Sequence, residues 1–390
     1  MSKTLQDYAT LINDTIQSNE INHYITTDNM CQNLGGIDTL KNINIPQEKV
    51  RSFQKDDVLL SNIRLYFRKV YRAKQKGGCS SDVLVFRAKH IDSATLFAIL
   101  SSQIFTDYAC SGSQGSKMPR GNKTHMMDFK IPTINFTIAK IFNSIQNKIE
   151  NNHKINELLH KILELLYEQY FVRFDFLDEN NKPYQTSGGK MKFSKELNRL
   201  IPNDFEVKTL GELITWISGS QPPKSCHIYE HKEGYIRFIQ NRDYSSNDYI
   251  TYIPISKNNK ICYQYDIMID KYGEAGAVRF GLQGAYNVAL SKISVINQSM
   301  QEYIRSYLNS KPIKKYLSNA CMASTRSSLN ENHIYSLMLP IPPINLLQKY
   351  EKIAKNIITA IINNNQSTQT LTALRDFLLP LLLKQQVKPK

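Results

Sequence analysis

The chain has 390 residues, 41% of them hydrophobic and 21% charged, which is the composition of a globular protein of roughly two to three domains. Its 49 Lys and Arg against 34 Asp and Glu give a net charge of +15, which favours a polyanionic partner such as nucleic acid. No apolar run approaches the about 20 residues of a bilayer span, no secretory signal is recognisable, and the six scattered cysteines suit a reducing compartment. We therefore expect a cytoplasmic protein that does not span a membrane.

Short β-branched and aromatic segments, bounded by Gly, Asn, Asp and Pro, predict β-strands in both halves of the chain. They are DVLLSNI at 57–63, SDVLVFR at 81–87, YIRFIQ at 235–240, DYITYIPI at 248–255, YDIMIDKY at 265–272 and VALSKISVI at 288–296. Each half also holds a predicted helix, at 95–105 in the first and at 300–310 in the second. The sequence thus predicts two αβ domains.

A long helix is predicted after each αβ domain, because apolar residues recur there every three or four positions. The first stripe comprises Ile141, Ile145, Ile149, Ile155, Leu158, Ile162 and Leu165, and the second comprises Ile353, Ile357, Ile361, Leu371, Leu374, Leu378 and Leu381. Asparagines interrupt both stripes, at 151–152 and 363–365. We expect the two helices to form a coiled coil whose register these polar residues set. Two unrelated core helices are the alternative.

The two halves form an internal repeat. Thr4-Leu5 recurs as Thr209-Leu210, 205 residues later, and IPTIN at 131–135 recurs as IPPIN, 210 residues later. Between the halves, residues 173–208 contain Pro183, Gly188, Gly189 and Pro202, which predicts a linker with turns.

Catalytic motifs are missing from the sequence. There is no G-x-x-x-x-G-K-[ST] phosphate loop, and the two Pro-Pro strings, at 221–224 and 341–344, lack the aromatic residue with which a methyltransferase holds a flipped base. The E-x-K string at 206–208 and the group Cys226, His227 and His231 are too isolated to predict a nuclease or zinc site. We expect neither a catalytic group nor a metal ion.

Candidate DNA-binding residues lie in matched loops of the two halves. Residues 61–76 carry six basic side chains interleaved with aromatics, and GSKMPRGN at 115–122 is a flexible basic loop. RFIQNRDY at 237–244, Lys271 to Gly273 and STRSS at 324–328 are the candidates in the second half. From these loops we select Arg64, Tyr66, Phe67, Lys69, Lys117, Arg120, Asn122, Gln240, Arg242, Tyr244, Lys271, Tyr272, Thr325, Arg326 and Ser327. Solvated strands and turns are the alternative.

Over essentially its whole length the chain resembles the specificity subunit of type I restriction-modification enzymes. The resemblance lies in the segments 57–60 and 266–269, the block 61–88, the GSKMPRGN loop, the IPxIN strings, the connector 187–213 and RFIQNRDY. It implies an α+β fold with two αβ target recognition domains in tandem repeat, separated by two long antiparallel coiled-coil helices. The implied boundaries are 1–135 and 209–345 for the recognition domains, 136–172 and 346–386 for the helices, and 173–208 for the connector.

The resemblance also implies a non-catalytic subunit that binds double-stranded DNA, reads a bipartite asymmetric site, and directs adenine methylation or DNA cleavage by partner subunits. Methyltransferase subunits, expected to number two, would dock on the helices, and endonuclease-translocase subunits would join them. The expected docking residues are Ile145, Ile149, Leu158, Ile162, Ile357, Ile361, Leu371 and Leu374. This chain would bind no cofactor, whereas the partner subunits would hold S-adenosylmethionine, ATP and Mg.

The sequence departs from the family pattern at Ser116, Asn122 and Asn241, which puts in doubt which base each loop reads. Three alternatives stay open: a subunit that serves methylation only or another restriction class, a self-contained modification enzyme, and a coiled-coil scaffold without a DNA role.

Overall fold

The chain divides into two units in the computed structural model, which describes residues 3–39, 41, 43–131, 134–245, 247, 249–322 and 328–382. Unit 1 comprises the residues up to Ile155 together with those from Gln366 onward, and unit 2 comprises Asn156–Asn365. Each unit has its own hydrophobic core. The boundary falls inside both long helices, so each unit includes one segment of each.

Unit 1 contains two four-stranded sheets. Its strands are β1 (Ala9–Ile12), β2 (Thr15–Gln17), β3 (Tyr24–Ile25), β4 (Lys49–Phe53), β5 (Val58–Ser61), β6 (Val70–Arg72), β7 (Gly77–Cys79) and β8 (Val83–Ala88). Its helices are α1 (Leu5–Tyr8), α2 (Ser93–Leu100), α3 (Gln103–Ser111), α4 (Lys123–Met127) and the first part of α5 (Phe136–Tyr167). One sheet has the antiparallel order β1-β8-β5-β6, and the other has the order β2-β4-β7-β3, in which β3 runs parallel to β7.

The central strands of the first sheet are β5 and β8, where the apolar runs VLL and VLVF are completely buried. Helix α2 covers this sheet, and Phe97 packs against Phe142 of α5. The prediction of a single helix at 95–105 is wrong. The chain forms α2 and α3 instead, because the Ser102 hydroxyl caps the second helix by accepting a hydrogen bond from the Phe105 N–H, at 3.2 Å.

Unit 2 repeats this plan. Its strands are β9 (Met191–Ser194), β10 (Arg199–Pro202), β11 (Glu206–Thr209), β12 (Ile214–Ser218), β13 (Tyr235–Ile239), β14 (Thr251–Pro254), β15 (Ile261–Cys262), β16 (Ile267–Asp270), β17 (Val278–Arg279), β18 (Gly284–Tyr286), β19 (Leu290–Val295) and β20 (Met338–Ile341). Its helices are the last part of α5, α6 (Gln301–Asn309), α7 (Lys311–Met322), α8 (Glu331–Tyr335) and the first part of α9 (Ile344–Leu382), whose last part belongs to unit 1.

The strand orders confirm the predicted internal repeat. The sheet β12-β19-β16-β17 has the same order and antiparallel pairing as β1-β8-β5-β6. In the second sheet, β13-β18-β15 matches β3-β7-β4, whereas the fourth strand lies at opposite edges in the two units. Thr4 and Thr209 match in detail, since each begins a short helix whose third residue, Asp7 or Glu212, accepts a hydrogen bond from the threonine N–H.

The connector predicted as a linker is instead part of unit 2. Strands β9 and β10 form a hairpin, and β11 pairs with β20. The aromatic side chains of Phe174, Phe176 and Phe205 are buried in the core of unit 2. Gly188 lies in a turn, as predicted, whereas Pro202 is the last residue of β10. The three buried phenylalanines gain more from burial than from exposure to water.

The two long helices pack antiparallel, as predicted. In unit 1, the Asn135 N–H donates to the Leu382 carbonyl, Arg375 Nη1 to Gln146 Oε1 at 3.2 Å, and Asn152 Nδ2 to Thr368 Oγ1 at 3.2 Å. In unit 2, Asn156 Nδ2 donates to Asn365 Oδ1 at 2.8 Å. Asparagines of both stripes thus pair across the helices, as a register-setting role requires.

Among the residues that the structure describes, no helix combines the length and apolar character of a membrane span.

Candidate nucleic-acid interface

The GSKMPRGN loop of unit 1 is a closed hairpin that rests on the segment following β5. The Gln114 and Arg120 backbones exchange two hydrogen bonds, of 2.9 and 2.8 Å. The Arg64 N–H donates to the Pro119 carbonyl at 2.9 Å, and the Gly121 N–H donates to the Asn62 carbonyl at 3.1 Å. The structure therefore brings together two loops that the sequence identifies separately.

Several selected side chains of these loops are exposed. Tyr66 and Lys117 are exposed, and the Arg120 side chain keeps 63% of its surface in solvent. Arg64 has a left-handed backbone, with φ of 51°, and its guanidinium lies 5.9 Å from the centre of the Phe67 ring. Together these residues present cations and aromatic rings on a single surface of unit 1.

Two selected residues of unit 1 have structural roles. Lys69 is half-buried and donates from Nζ to the Thr27 carbonyl at 2.5 Å, and burial lowers its pKa. Asn122 is the N-cap of α4, since its Oδ1 accepts from the His125 N–H at 3.1 Å. Asn330 caps α8 in unit 2 in the same way, so the Asn-x-x-His string serves the fold of both units.

In unit 2 the selected residues cluster around the turn Gln240–Tyr244 that follows β13. The Asp243 carboxylate fixes the turn by accepting the Gln240 N–H at 2.9 Å. Arg242 is exposed, and its guanidinium lies 5.7 Å from the ring centre of Tyr249, which is itself exposed. Asn241 Nδ2 donates to the Tyr272 carbonyl at 3.2 Å, which ties this turn to the half-buried Lys271 and the exposed Tyr272.

Tyr244 is not available to DNA, contrary to our selection of it. Its ring packs against the cluster formed by Ile239, Cys262, Met268, Tyr286 and Leu290. Burial raises the pKa of its hydroxyl well above the usual value. The short helical turn Asn241–Tyr244 places this aromatic side chain inward, and the corresponding Met30 of unit 1 is also buried.

Behind the turn lies a buried acid. Asp270 is 1% exposed, and burial raises its pKa although the guanidinium of Arg279 opposes the rise. Arg279 Nη2 lies 2.9 Å from Asp270 and 2.6 Å from the exposed Glu274. This pair holds the loop between β16 and β17 in place beside Tyr272. Thr325, Arg326 and Ser327 lie outside the described residues.

A further loop, which the sequence did not single out, has the same geometry in unit 1. The turn Thr26–Met30 follows β3, and the Asn29 Oδ1 accepts the Thr26 N–H at 2.8 Å, as Asp243 does for Gln240. Strand β3 pairs with β7 as β13 pairs with β18. The missed signal was the string YITTDN, which corresponds to FIQNRD 214 residues later.

The apolar stripes of the long helices do not form one docking face. Ile145, Ile149 and Ile361 are buried within their units, because the helices pack against each other and the cores there. Leu158, Ile162 and Leu374 are exposed, and Ile357 and Leu371 are half-buried. Buried members cannot face a partner, so the expected docking set is corrected to its exposed and half-buried members.

No three His, Cys, Asp or Glu side chains among the described residues converge as a metal site would require.

Residues 202–373 match the family described as type I restriction modification DNA specificity domain. The type I restriction enzyme MjaIX specificity subunit of Methanocaldococcus jannaschii is 25% identical over 300 residues, which cover 74% of this chain and 67% of that protein. The HindI specificity subunit of Haemophilus influenzae is 22% identical over 309 residues, covering 64% of this chain and 66% of that protein.

One solved structure, a type I restriction-modification S subunit from M. genitalium, covers 98% of this chain with a TM-score of 0.64 at 15% identity. At that identity the likeness shows the fold alone, and it confirms the predicted α+β class with two domains and long helices. The family match and the named relatives support a role in DNA-sequence specificity. The chain is similar to specificity subunits of type I restriction-modification enzymes, which confirms the predicted resemblance.

Proposed function

We propose that the chain reads a bipartite, asymmetric DNA site, one half with each unit, and directs adenine methylation or cleavage there by partner subunits. The observation that carries this proposal is that matched hydrogen bonds hold the candidate loops of the two units in the same backbone arrangement, which we call the frame. The two units expose different side chains from this frame. The Asn62 N–H donates to the Asp82 carbonyl in unit 1, and the Lys271 N–H to the Ala289 carbonyl in unit 2, both at 2.8 Å. Equal frames with unequal side chains suit two different half-sites.

Within this proposal, the exposed cations and rings make the contacts with DNA. Arg120 and Arg242 are the candidates for base readout, because a guanidinium binds guanine through two hydrogen bonds. Arg64, Lys117 and Lys271 are candidates for phosphate contacts, and Tyr66 and Tyr272 for packing against the groove. The recognition domains would then extend over 1–135 and 209–345, although the cores also include helical segments.

The chain itself would carry out no chemistry. Methyltransferase subunits, two in number, would dock on the exposed stripe of α5, where Ile155, Leu158, Ile162 and Leu165 are each at least 42% exposed. Endonuclease-translocase subunits would join them in the cytoplasm. S-adenosylmethionine, ATP and Mg would be bound by these partners.

The test is single-molecule sequencing of genomic DNA from cells that express the chain with its companion methyltransferase. We expect methylated adenines in a split, asymmetric motif that is missing when either protein is omitted. Arg120→Ala should relax one half of the motif, and Arg242→Ala the other, by about 10-fold or more at the affected base. Methylation by the isolated chain would favour a self-contained enzyme, and loss of both half-sites in either variant would contradict the division between units.

A further inference from the structure

Asp82 lies directly before β8 and pairs with Arg120, 38 residues further along the chain. Arg120 Nη2 is 2.9 Å from Asp82 Oδ1, and the two side chains are 63% and 32% exposed. An ion pair so close to solvent adds little to the stability of a protein, since exposed pairs are weak and screened by salt. The pair is therefore poorly explained as a stabilising contact of unit 1.

The backbones on both sides of the pair are already fixed without it. Arg120 is held by its two hydrogen bonds with Gln114, and the Asp82 carbonyl accepts the Asn62 N–H. The Gly121 N–H completes the frame by donating to the Asn62 carbonyl. What remains free in this frame is the long Arg120 side chain, and the carboxylate of Asp82 is the group that restricts it.

Unit 2 provides an internal control, because it repeats two hydrogen bonds of this frame at positions that carry neither the acid nor the arginine. There the Leu329 N–H donates to the Lys271 carbonyl at 3.0 Å, as Gly121 does to Asn62. This equivalence places Ala289 at the position of Asp82 and Ser328 at the position of Arg120. The fold of a unit thus requires neither the acid nor the arginine.

We propose that Asp82 is a positioning residue for sequence recognition by unit 1, holding the Arg120 guanidinium ready to bind the edge of a guanine. The inference rests on the proposed function. Asp82 occupies one terminal nitrogen of Arg120, and the remaining N–H donors stay free for the base. Fixing the side chain before binding removes an entropy cost that would otherwise weaken the contact by about 2- to 10-fold.

A carboxylate beside DNA also repels phosphates, which separates this role from a simple binding role. Removing the Asp82 charge should leave sequence-independent affinity unchanged or raise it, because binding to phosphates depends on net positive charge. Preference for one base should fall at the same time. A residue that only supports the fold would lower both quantities together.

The experiment selects randomised duplex DNA with the purified full chain and sequences the bound fraction. For the unmodified chain we expect a split motif that includes a preferred guanine. Asp82→Asn should lower that preference by about 2- to 10-fold, Asp82→Glu should retain part of it, and Arg120→Ala should abolish it. In the Arg120→Ala background, Asp82→Asn should not change the base preference further, because the acid acts on that preference through the arginine.

Asp56→Asn is the matched control. Asp56 lies just before β5, at the opposite end of this strand from Asn62. Its side chain is exposed and lies 3.9 Å from Arg72, so the variant makes the same charge change elsewhere in unit 1. The inference is overturned if Asp82→Asn leaves the guanine preference intact, if it acts equally without Arg120, or if Asp56→Asn has the same effect. A chain that enriches no split motif would instead refute the proposed function itself.

Discussion

The two units solve the same structural problem with different residues, and the clearest case is the turn before their central strands. In unit 1 the buried Asp57 accepts the Gln54 N–H at 2.8 Å and two hydrogen bonds from Arg87 at 2.8 Å. In unit 2 Asp266 accepts the Tyr263 N–H at 2.9 Å, but its cation is Lys292, at 3.3 Å. Arg87 and Lys292 occupy different positions of the matched strands β8 and β19. The two units therefore share the acid and its turn, whereas the cation that pairs with the acid comes from a different position.

The side-chain contacts that hold the long helices also differ between the two units. In unit 1 the buried Arg375 donates from Nη1 to Gln146 and to the Asn33 carbonyl, both at 3.2 Å. In unit 2 the helices instead meet an aromatic cluster that includes Phe171, Tyr303 and Tyr350. Shared topology therefore does not require shared side-chain chemistry, and substitutions at matched places should have unequal effects.

The largest effect is expected from Ile357→Pro, in the segment of α9 that belongs to unit 2. Proline removes a helical hydrogen bond and collides with the preceding turn, at a cost of about 3 kcal/mol or more. Amide exchange should show loss of protection in β16 and β19. Ile357→Ala is the control, because it removes the half-buried side chain and keeps the helix. Equal losses in β5 and β8 of unit 1 would contradict the presence of two separate cores.

A smaller and unequal pair of effects is expected from Asp57→Asn and Asp266→Asn. Asp57 is 2% exposed and accepts hydrogen bonds from Nε and Nη2 of Arg87. The loss of its charge should therefore lower the free energy of unfolding by about 2 kcal/mol. Asp266 is 24% exposed and has one cationic contact at 3.3 Å, so its loss should cost about 1 kcal/mol or less. Chemical denaturation followed in each unit by amide exchange measures both. Equal costs would mean that burial and geometry do not set the strength of these pairs.

Much of this fold could be predicted because it depends on local patterns. The stripes of apolar residues located α5 and α9, and the β-branched runs located β5, β8, β16 and β19. The matched strings Thr4-Leu5 and Thr209-Leu210 predicted the repeat, and both begin the same capped turn. These patterns can be read from the sequence without knowledge of tertiary contacts.

The candidate site was less predictable, because exposure depends on contacts between distant residues. Lys69 resembles its basic neighbours in the sequence, yet its ammonium binds the carbonyl of Thr27, 42 residues away. Tyr244 belongs to a polar string but faces inward, and Asp82 gave no signal because its partner Arg120 lies in another loop. The pairing of segments far apart in sequence decides these cases, and composition does not report it.

The matched helices α2 and α6 offer a comparison in their caps. Asp92 caps α2 from the adjoining residue, since its Oδ1 accepts the Thr95 N–H at 2.9 Å. Helix α6 is capped from outside, because Glu351 Oε1 on α9 accepts the Glu302 and Tyr303 N–H groups at 2.7 and 3.0 Å. Burial raises the pKa of Glu351 to about 7, with a further rise from Glu302 and opposition from its hydrogen bonds and Arg305. Burial also acts to raise the pKa of Asp92, but the Thr95 hydrogen bonds outweigh it and lower the pKa below 3.8.

The two caps should therefore respond to pH in opposite directions. Between the ordinary value of 4.5 and about 7, Glu351 holds its proton in the folded chain and has lost it in the unfolded chain. Its contribution to unit 2 is therefore complete below pH 4.5 and is lost as the pH rises through about 7. The contribution of Asp92 to unit 1 is present above pH 3.8 and is lost as the pH falls below that value. Amide exchange, corrected for its intrinsic pH dependence, should show α6 losing protection as the pH rises from 4.5 to about 7. Glu351→Gln should remove this loss, because the amide oxygen accepts the same N–H groups without titrating. A wild-type profile that coincides with that of Glu351→Gln would show that burial of this carboxyl does not govern the pH response of unit 2.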